Sequence, residues 1–339
     1  MKSMLLTAVF GLSLVGLAAG AASAQTLQTV KSRGMLRCGV NTGLPGFASQ
    51  NDKGEWQGLD VDYCKAVAAA VFGDASKIQY VPLSAVQRFP ALQNNEIDML
   101  ARNTTWTMDR DTTLGLAFAG VNYYDGQGFM VKKELGVNSA LELSGATVCV
   151  QSGTTTELNL ADYFKSHNMN YNPVVIEAQS SVNSAYDSGR CDVLTTDASG
   201  LAASRLEMSK PDDNVILPEI ISKEPLGPVV RQGDWQWFNI VKWTHNALLD
   251  AEELGVTKEN VDQMMKSDNP EVRRLLGEDK DFGQSIGLSK DWAVNIIKAV
   301  GNYGEIFERN IGVNTPLKIQ RGMNALWTKG GIQYGMPIR

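Results

Sequence analysis

Four short segments hold most of the residues that could do chemistry. They read NTGLPGF at 41–47, RNTTWTMDRDT at 102–112, QSGTTTE at 151–157 and TTD at 195–197. Each is rich in hydroxyls, amides or glycine, and each comes directly after a short apolar run. The second alone carries five hydroxyl or amide side chains between Asn103 and Thr112, together with Arg102 and Arg110. Cationic donors suit a carboxylate and an acid suits an ammonium. With one Arg and one Asp in reach of a shared cleft, the set is complementary to a zwitterion.

Catalysis would need a nucleophile with a base, a perturbed acid–base pair or a metal cluster. The two histidines, His167 in YFKSHN and His245 in WFNIVKWTHNALL, stand at no strand end and read as structural or solvated. The chain has no H-E-x-x-H, no G-x-S-x-G and no phosphate loop. The cysteines Cys38, Cys64, Cys149 and Cys191 fit no zinc spacing. In an oxidising compartment they read as one or two structural disulfides, most simply Cys38 with Cys64 and Cys149 with Cys191. No cofactor and no metal are expected.

The four segments must be positioned by the elements before them. MLRCGV (35–40), KIQYVPL (77–83) and IDMLA (97–101) read as strands, with helices over 59–72 and 85–96 between them. The rhythm returns with strands at 146–151, 173–178 and 191–196 and helices at 155–166, 182–189 and 198–208. Each βαβαβ run predicts a parallel sheet with right-handed crossovers. Ligands of open parallel sheets bind beyond the carboxyl ends of the strands, where all four polar segments fall.

The expectation is therefore an α/β chain of two lobes, each a mostly parallel sheet flanked by helices, with two hinge crossings. One lies near Tyr123–Phe129 and the other near Ile220–Gly227. NVILPEI (214–220) should close the second sheet, and PLGPVVRQGDWQWFNIVKW should return as a strand and a long amphipathic helix. Beyond it, NVDQMMKS, PEVRRLLG, KDWAVNIIKAVGNYGEIFERN and RGMNALW read as helices of the first lobe. The divisions are 1–24 for an export leader, 25–124 for the first part of lobe one, 125–222 for lobe two, and 223–339 for the rest of lobe one.

The leader is read from Lys2, the apolar stretch after it and the small-residue triplet Ala22-Ser23-Ala24, an A-x-A cleavage site. The segment is too short and too weakly flanked for a stop-transfer helix, which predicts an exported, periplasmic protein. The formal charge of −6 at pH 7 becomes one unit more negative without Lys2, which suits neither nucleic acid nor anionic lipid.

The run GLDVDYCKAVAAAVFGD (58–74), with EIDML, NTTWTMDRDT, VCVQSGTTTE and GRCDVLTTD after it, resembles the periplasmic polar amino-acid-binding proteins of ABC importers. The likeness is greatest to their broad-specificity, general L-amino-acid branch and covers nearly the whole chain after the leader. It implies Arg110 as the receptor of the ligand α-carboxylate, helped by Thr105, with Asn103 on the site wall. In the second lobe it implies Thr155, beside Ser152, Gly153 and Thr154, and Asp197 as the acid for the α-ammonium. Arg88 matches a position that acidic-amino-acid binders of the family use for a side-chain carboxylate. Asn41 and Leu44 stand where relatives often place an Asp and a stacking aromatic, which weakens the case for a cationic ligand side chain.

The same residues have plainer uses. Arg110 could pair with Asp109 or Asp111, Arg88 could be an exposed helix residue, and Asp197 could only cap the helix after it. Thr154 with Glu157 forms a capping-box pattern, Asp60 and Asp62 read as helix-start residues, and Trp106 could wall the site or pack in the core. The resemblance implies a monomer that captures an L-amino acid, polar, acidic or amide, by hinge closure and hands it to membrane permease subunits. A dehydratase on the same fold and a solute sensor are the alternatives; the first would need an acid poised for proton transfer.

Overall fold

The computed structural model describes residues 25–339, so the leader lies outside the described residues. Two five-stranded sheets organise the chain. In the first, the order is Ile78–Leu83, Leu36–Asn41, Met99–Leu100, Val229–Arg231 and Leu116–Phe118. Leu36–Asn41 is parallel to both its neighbours, and Val229–Arg231 enters antiparallel to the two strands beside it. In the second, the order is Asn172–Ile176, Thr147–Gln151, Val193–Asp197, Gln127–Lys132 and Asn214–Ile216. Its first three strands are parallel, and Gln127–Lys132 runs antiparallel to both strands it pairs with.

The chain passes between the sheets twice, and the two passages zip together. Tyr123–Asp125 and Glu224–Leu226 form an antiparallel two-stranded ribbon, pairing Asp125 with Glu224 and Tyr123 with Leu226. The expected strand over 214–220 is shorter, Asn214–Ile216, because Pro218 cannot donate to a ladder. The predicted helix over 85–96 is confined to Arg88–Gln93.

After the return strand the helix Trp235–Glu253 lays Trp237, Ile240, Val241, Leu248 and Leu249 into the core that also holds Leu36 and Val40. The single helix expected over KDWAVNIIKAVGNYGEIFERN is two, Trp292–Val300 and Tyr303–Asn310. Gly301 breaks it at φ 78°, and Asn302 restarts it with a capping box to Glu305. RGMNALW forms 3-10 turns rather than a helix, Gly322–Asn324 and Trp327–Lys329. Two disulfides, Cys38–Cys64 and Cys149–Cys191, tie each sheet to its own surroundings in the simplest pairing expected. No described helix is long and apolar enough to cross a membrane.

Candidate functional site

The carboxyl ends of both sheets face one another across a cavity. Asn41, Arg88, Arg102, Asn103 and Thr105 wall it from the first lobe, and Thr154, Thr155 and Asp197 from the second. The lobes touch around it: Ser84 Oγ donates to Glu177 Oε1 at 3.0 Å, and Thr105 Oγ1 lies 3.3 Å from Thr155 Oγ1. Gly153, at φ +72°, backs onto Val86 so closely that a Cβ there would meet Val86 Cγ1 at 2.7 Å.

The first wall is held by amides and a buried acid. Asn41 ends its strand and donates from Nδ2 to Asn103 Oδ1 at 2.9 Å. Asn103 takes a left-handed φ of 30°, which Asn tolerates better than most side chains, and its N–H donates to Asp60 Oδ2 at 2.8 Å. Asp60 thus does more than start a helix. It also accepts from Asn122 Nδ2 at 3.2 Å, and burial pushes its carboxyl up to about 6 against those hydrogen bonds.

Two arginines bring buried positive charge to this wall. Arg102 is 1% exposed; its Nε donates to Leu83 O at 3.2 Å and its Nη1 to Asn103 Oδ1 at 3.4 Å, while Nη2 has no protein partner. Burial lowers its pKa to about 10, with Asp60 and Asp197 opposing the shift. Arg88 is 2% exposed, so the exposed-helix alternative does not hold. Its Nη1 reaches only Thr104 Oγ1, at 3.5 Å, and its Nε has no partner. Burying guanidinium donors without acceptors is costly, and such groups in a cavity wall are suited to an incoming anion.

Arg110 is buried beside Thr105. Thr107 caps its short helix, Arg110 Nη1 donates to Thr105 O at 2.9 Å, and the guanidinium lies 5.1 Å from the Phe89 ring centroid. Asp109 is exposed, and neither it nor Asp111 forms an ion pair with Arg110. Arg88 and Arg102 are the cations that line the cavity. Trp106 stacks on Phe118 at 5.4 Å and stays off the wall.

In the second lobe, Thr154 caps the helix Thr155–Ser166, its Oγ1 accepting from Glu157 N at 3.2 Å, while Glu157 accepts from Gly153 N at 3.0 Å. That cap aims Thr155 at the cleft. Ser152 falls outside the wall; its N–H donates to Ile176 O at 3.0 Å. Asp197 ends its strand and precedes the helix Ala198–Glu207, yet its side chain makes no capping bond. It lies in the cavity wall at 6% exposure. Burial first, then Asp125 and Glu224, push its carboxyl well above the usual aspartate range, with Arg88 pulling it back.

Gln151, in the segment 151–157, lies in the wall as its strand-end position suggests, whereas sequence reasoning passed over Gln179 and Ser204 in the wall and Glu224 outside it. Gln179 lies just beyond the carboxyl end of the strand Asn172–Ile176, so strand-end position could have found it. Nothing local marks Glu224. Of the histidines, His167 is exposed and His245 is buried against Tyr63 Oη at 2.8 Å. Among the described residues no cluster of His, Cys, Asp or Glu could hold a metal ion.

Two lobes on a ribbon hinge, with polar strand ends meeting in a cleft, define a bilobal solute-binding protein. The chain belongs to the bacterial extracellular solute-binding proteins, family 3, whose model matches residues 36–278. It is 63% identical over 341 residues, covering 100% of both chains, to the general L-amino acid-binding periplasmic protein AapJ of Rhizobium johnstonii. It is 57% identical over 335 residues, covering 98% of this chain and 99% of the other, to the glutamate/glutamine/aspartate/asparagine-binding protein BztA of Rhodobacter capsulatus. A solved periplasmic binding protein of an ABC transporter from Brucella ovis, with glutathione bound, superposes with a TM-score of 0.92 at 64% identity. The match covers 93% of this chain and 100% of that one. These relatives are solute-binding proteins, so the chain is a binding protein and not an enzyme; the dehydratase reading is set aside.

Proposed function

We propose that this chain is the periplasmic substrate-binding component of an ABC importer for L-amino acids, with acidic and amide side chains favoured. The observation that carries the proposal is the charge pattern of the cleft. Two buried arginines with unpartnered nitrogens, Arg88 and Arg102, share one cavity with the carboxylate of Asp197. An α-amino acid presents one anion and one cation, and a dicarboxylic one presents a second anion, so a cleft with two such cations and one acid matches glutamate or aspartate best. Asn41, Asn103, Thr105 and Thr155 supply neutral contacts, and the Arg110 guanidinium, bonded to the Thr105 carbonyl, adds positive charge beside them.

The names of the relatives support the ligand class and a periplasmic location; cleavage after Ala24, and one lobe of residues 25–124 and 223–339 around 125–222, complete the proposal. Each lobe holds part of the ligand's charge pattern, so a bound amino acid favours the closed form by its differential affinity. The closed monomer then offers permease subunits a surface built from both lobes. The glutathione in the Brucella ovis relative supports a second reading, a γ-glutamyl peptide whose free α-amino and α-carboxylate groups enter the same cleft.

A thermal-shift screen of the leader-free protein against all L-amino acids and glutathione tests the proposal. Stabilisation by L-glutamate, L-aspartate and their amides is expected. A response to glutathione alone would favour the peptide, and no response to any of them would refute both.

A further inference from the structure

Behind the two threonines of the cleft sits a carboxylate that does not itself wall the cavity. Glu224 lies on the hinge strand Glu224–Leu226 and is 1% exposed. Its Oε2 accepts from Thr105 Oγ1 at 2.6 Å and from Thr155 Oγ1 at 2.8 Å. Its Oε1 accepts from Asn159 Nδ2 at 2.7 Å and from Ser222 Oγ at 2.7 Å. Four donors converging on two oxygens suit the acceptor-only ionised carboxylate.

A hydroxyl has one proton to give. Those of Thr105 and Thr155 are both committed to Glu224, so neither donates to the other although their oxygens are 3.3 Å apart. What they turn toward the cavity is lone pairs. A lone pair gives a carboxylate nothing and gives an ammonium a hydrogen-bond acceptor.

We propose that Glu224 is a specificity-determining positioning residue: by taking the protons of Thr105 and Thr155 it makes their hydroxyls a paired acceptor for the ligand's ammonium group. The inference rests on the amino-acid reading of the cleft. Asp197, in the same cavity wall, supplies the charge for that ammonium, and the arginines are left to the carboxylates. The network also spans the hinge. Thr105 comes from the first lobe, Thr155 and Asn159 from the second, and Glu224 from the ribbon between them. The acceptor pair is therefore assembled only when the lobes approach, which makes discrimination for the ammonium a property of the closed form.

The test compares L-glutamate with glutarate, which lacks the amino group, by calorimetry on the full leader-free chain. In Glu224→Met neither hydroxyl proton is held any longer, so each can turn toward the cavity, where it opposes an ammonium and can donate to a carboxylate; L-glutamate loses a pre-set acceptor pair that glutarate never used. A hydrogen bond to a charged group corresponds to roughly 10- to 100-fold in affinity. The ratio of L-glutamate to glutarate affinity should fall by about that factor, with a smaller fall in Glu224→Gln, which keeps one acceptor oxygen. Thr105→Val should lower the ratio too, and adding Glu224→Gln to it should lower it by less than Glu224→Gln does alone, because one of the two hydroxyls through which Glu224 acts is already gone. If the wild-type protein binds L-glutamate and the ratio is unchanged in every variant, Glu224 is only a hinge strut and the proposal is overturned. A wild-type protein that binds neither probe overturns the amino-acid reading and this proposal with it.

Discussion

Replacing Arg88 by Met separates a ligand-binding arginine from a structural one. The side chain is 2% exposed, its Nε has no partner, and its one hydrogen bond is a 3.5 Å contact to Thr104 Oγ1. It takes part in none of the ion pairs among the described residues. The folded protein therefore holds a desolvated guanidinium whose return is the Phe89 ring, 4.7 Å away at its centroid, and the charges of Asp197 and Glu224 at a distance. An apolar side chain of similar length should leave the unfolding temperature of the ligand-free protein unchanged or higher. Binding should behave oppositely. A hydrogen bond to a charged group contributes about 1.5–3 kcal/mol, so L-glutamate and L-aspartate should bind about 10- to 150-fold more weakly. L-Glutamine, which brings no second anion, should lose only a few-fold. Calorimetric titration with the three ligands and differential scanning fluorimetry of the ligand-free variant give both readings. Equal losses for glutamate and glutamine would refute the assignment of Arg88 to a side-chain carboxylate. A large drop in ligand-free stability with affinity retained would make it a structural residue.

Three further outcomes are expected from the same geometry. Asp197→Asn should weaken L-glutamate binding much more than glutarate binding, measured by competition titration; equal losses would leave Asp197 no role toward the ammonium. Asp60 has its carboxyl pushed from 3.8 up to about 6 by burial, so its contribution to stability is fully present below pH 3.8 and is lost as pH rises through about 6. Relative to Asp60→Asn, the wild-type protein should lose roughly 2 kcal/mol between pH 4 and pH 7 in denaturant titrations, and a difference that does not change with pH would contradict this. Replacing both Cys149 and Cys191 by Ala opens a link spanning 42 residues and should cost ~4 kcal/mol by chain entropy, read from the shift in denaturant midpoint.

Much of the site was legible because strand ends are legible. Asn41, Asn103, Thr105, Thr155 and Asp197 all stand just beyond an apolar run, and the structure brings all five to one cavity. Alternatives that depended on burial were not decidable that way. Arg88 could have pointed to water and lies in the wall; Arg102 joins it, while Ser152 and Arg110 are not among the residues that line the cavity. Asp197 and Thr154 share a local context, a strand end before a helix. Only Thr154 uses its side chain as a cap.

The sequence by itself determined the alternation of strands and helices, the two crossings between lobes and the chemical character of the cleft. These depend on periodicity, on backbone preferences and on side-chain types, all carried by neighbours in the chain. Which donors meet which acceptors was decided only in three dimensions. Glu224 binds Thr105 across 119 residues and Thr155 across 69, contacts that exist because the hinge strands pair and the two sheets close on each other. No local pattern encodes the direction of a hydroxyl proton; it is set by whichever buried carboxylate the fold brings within reach.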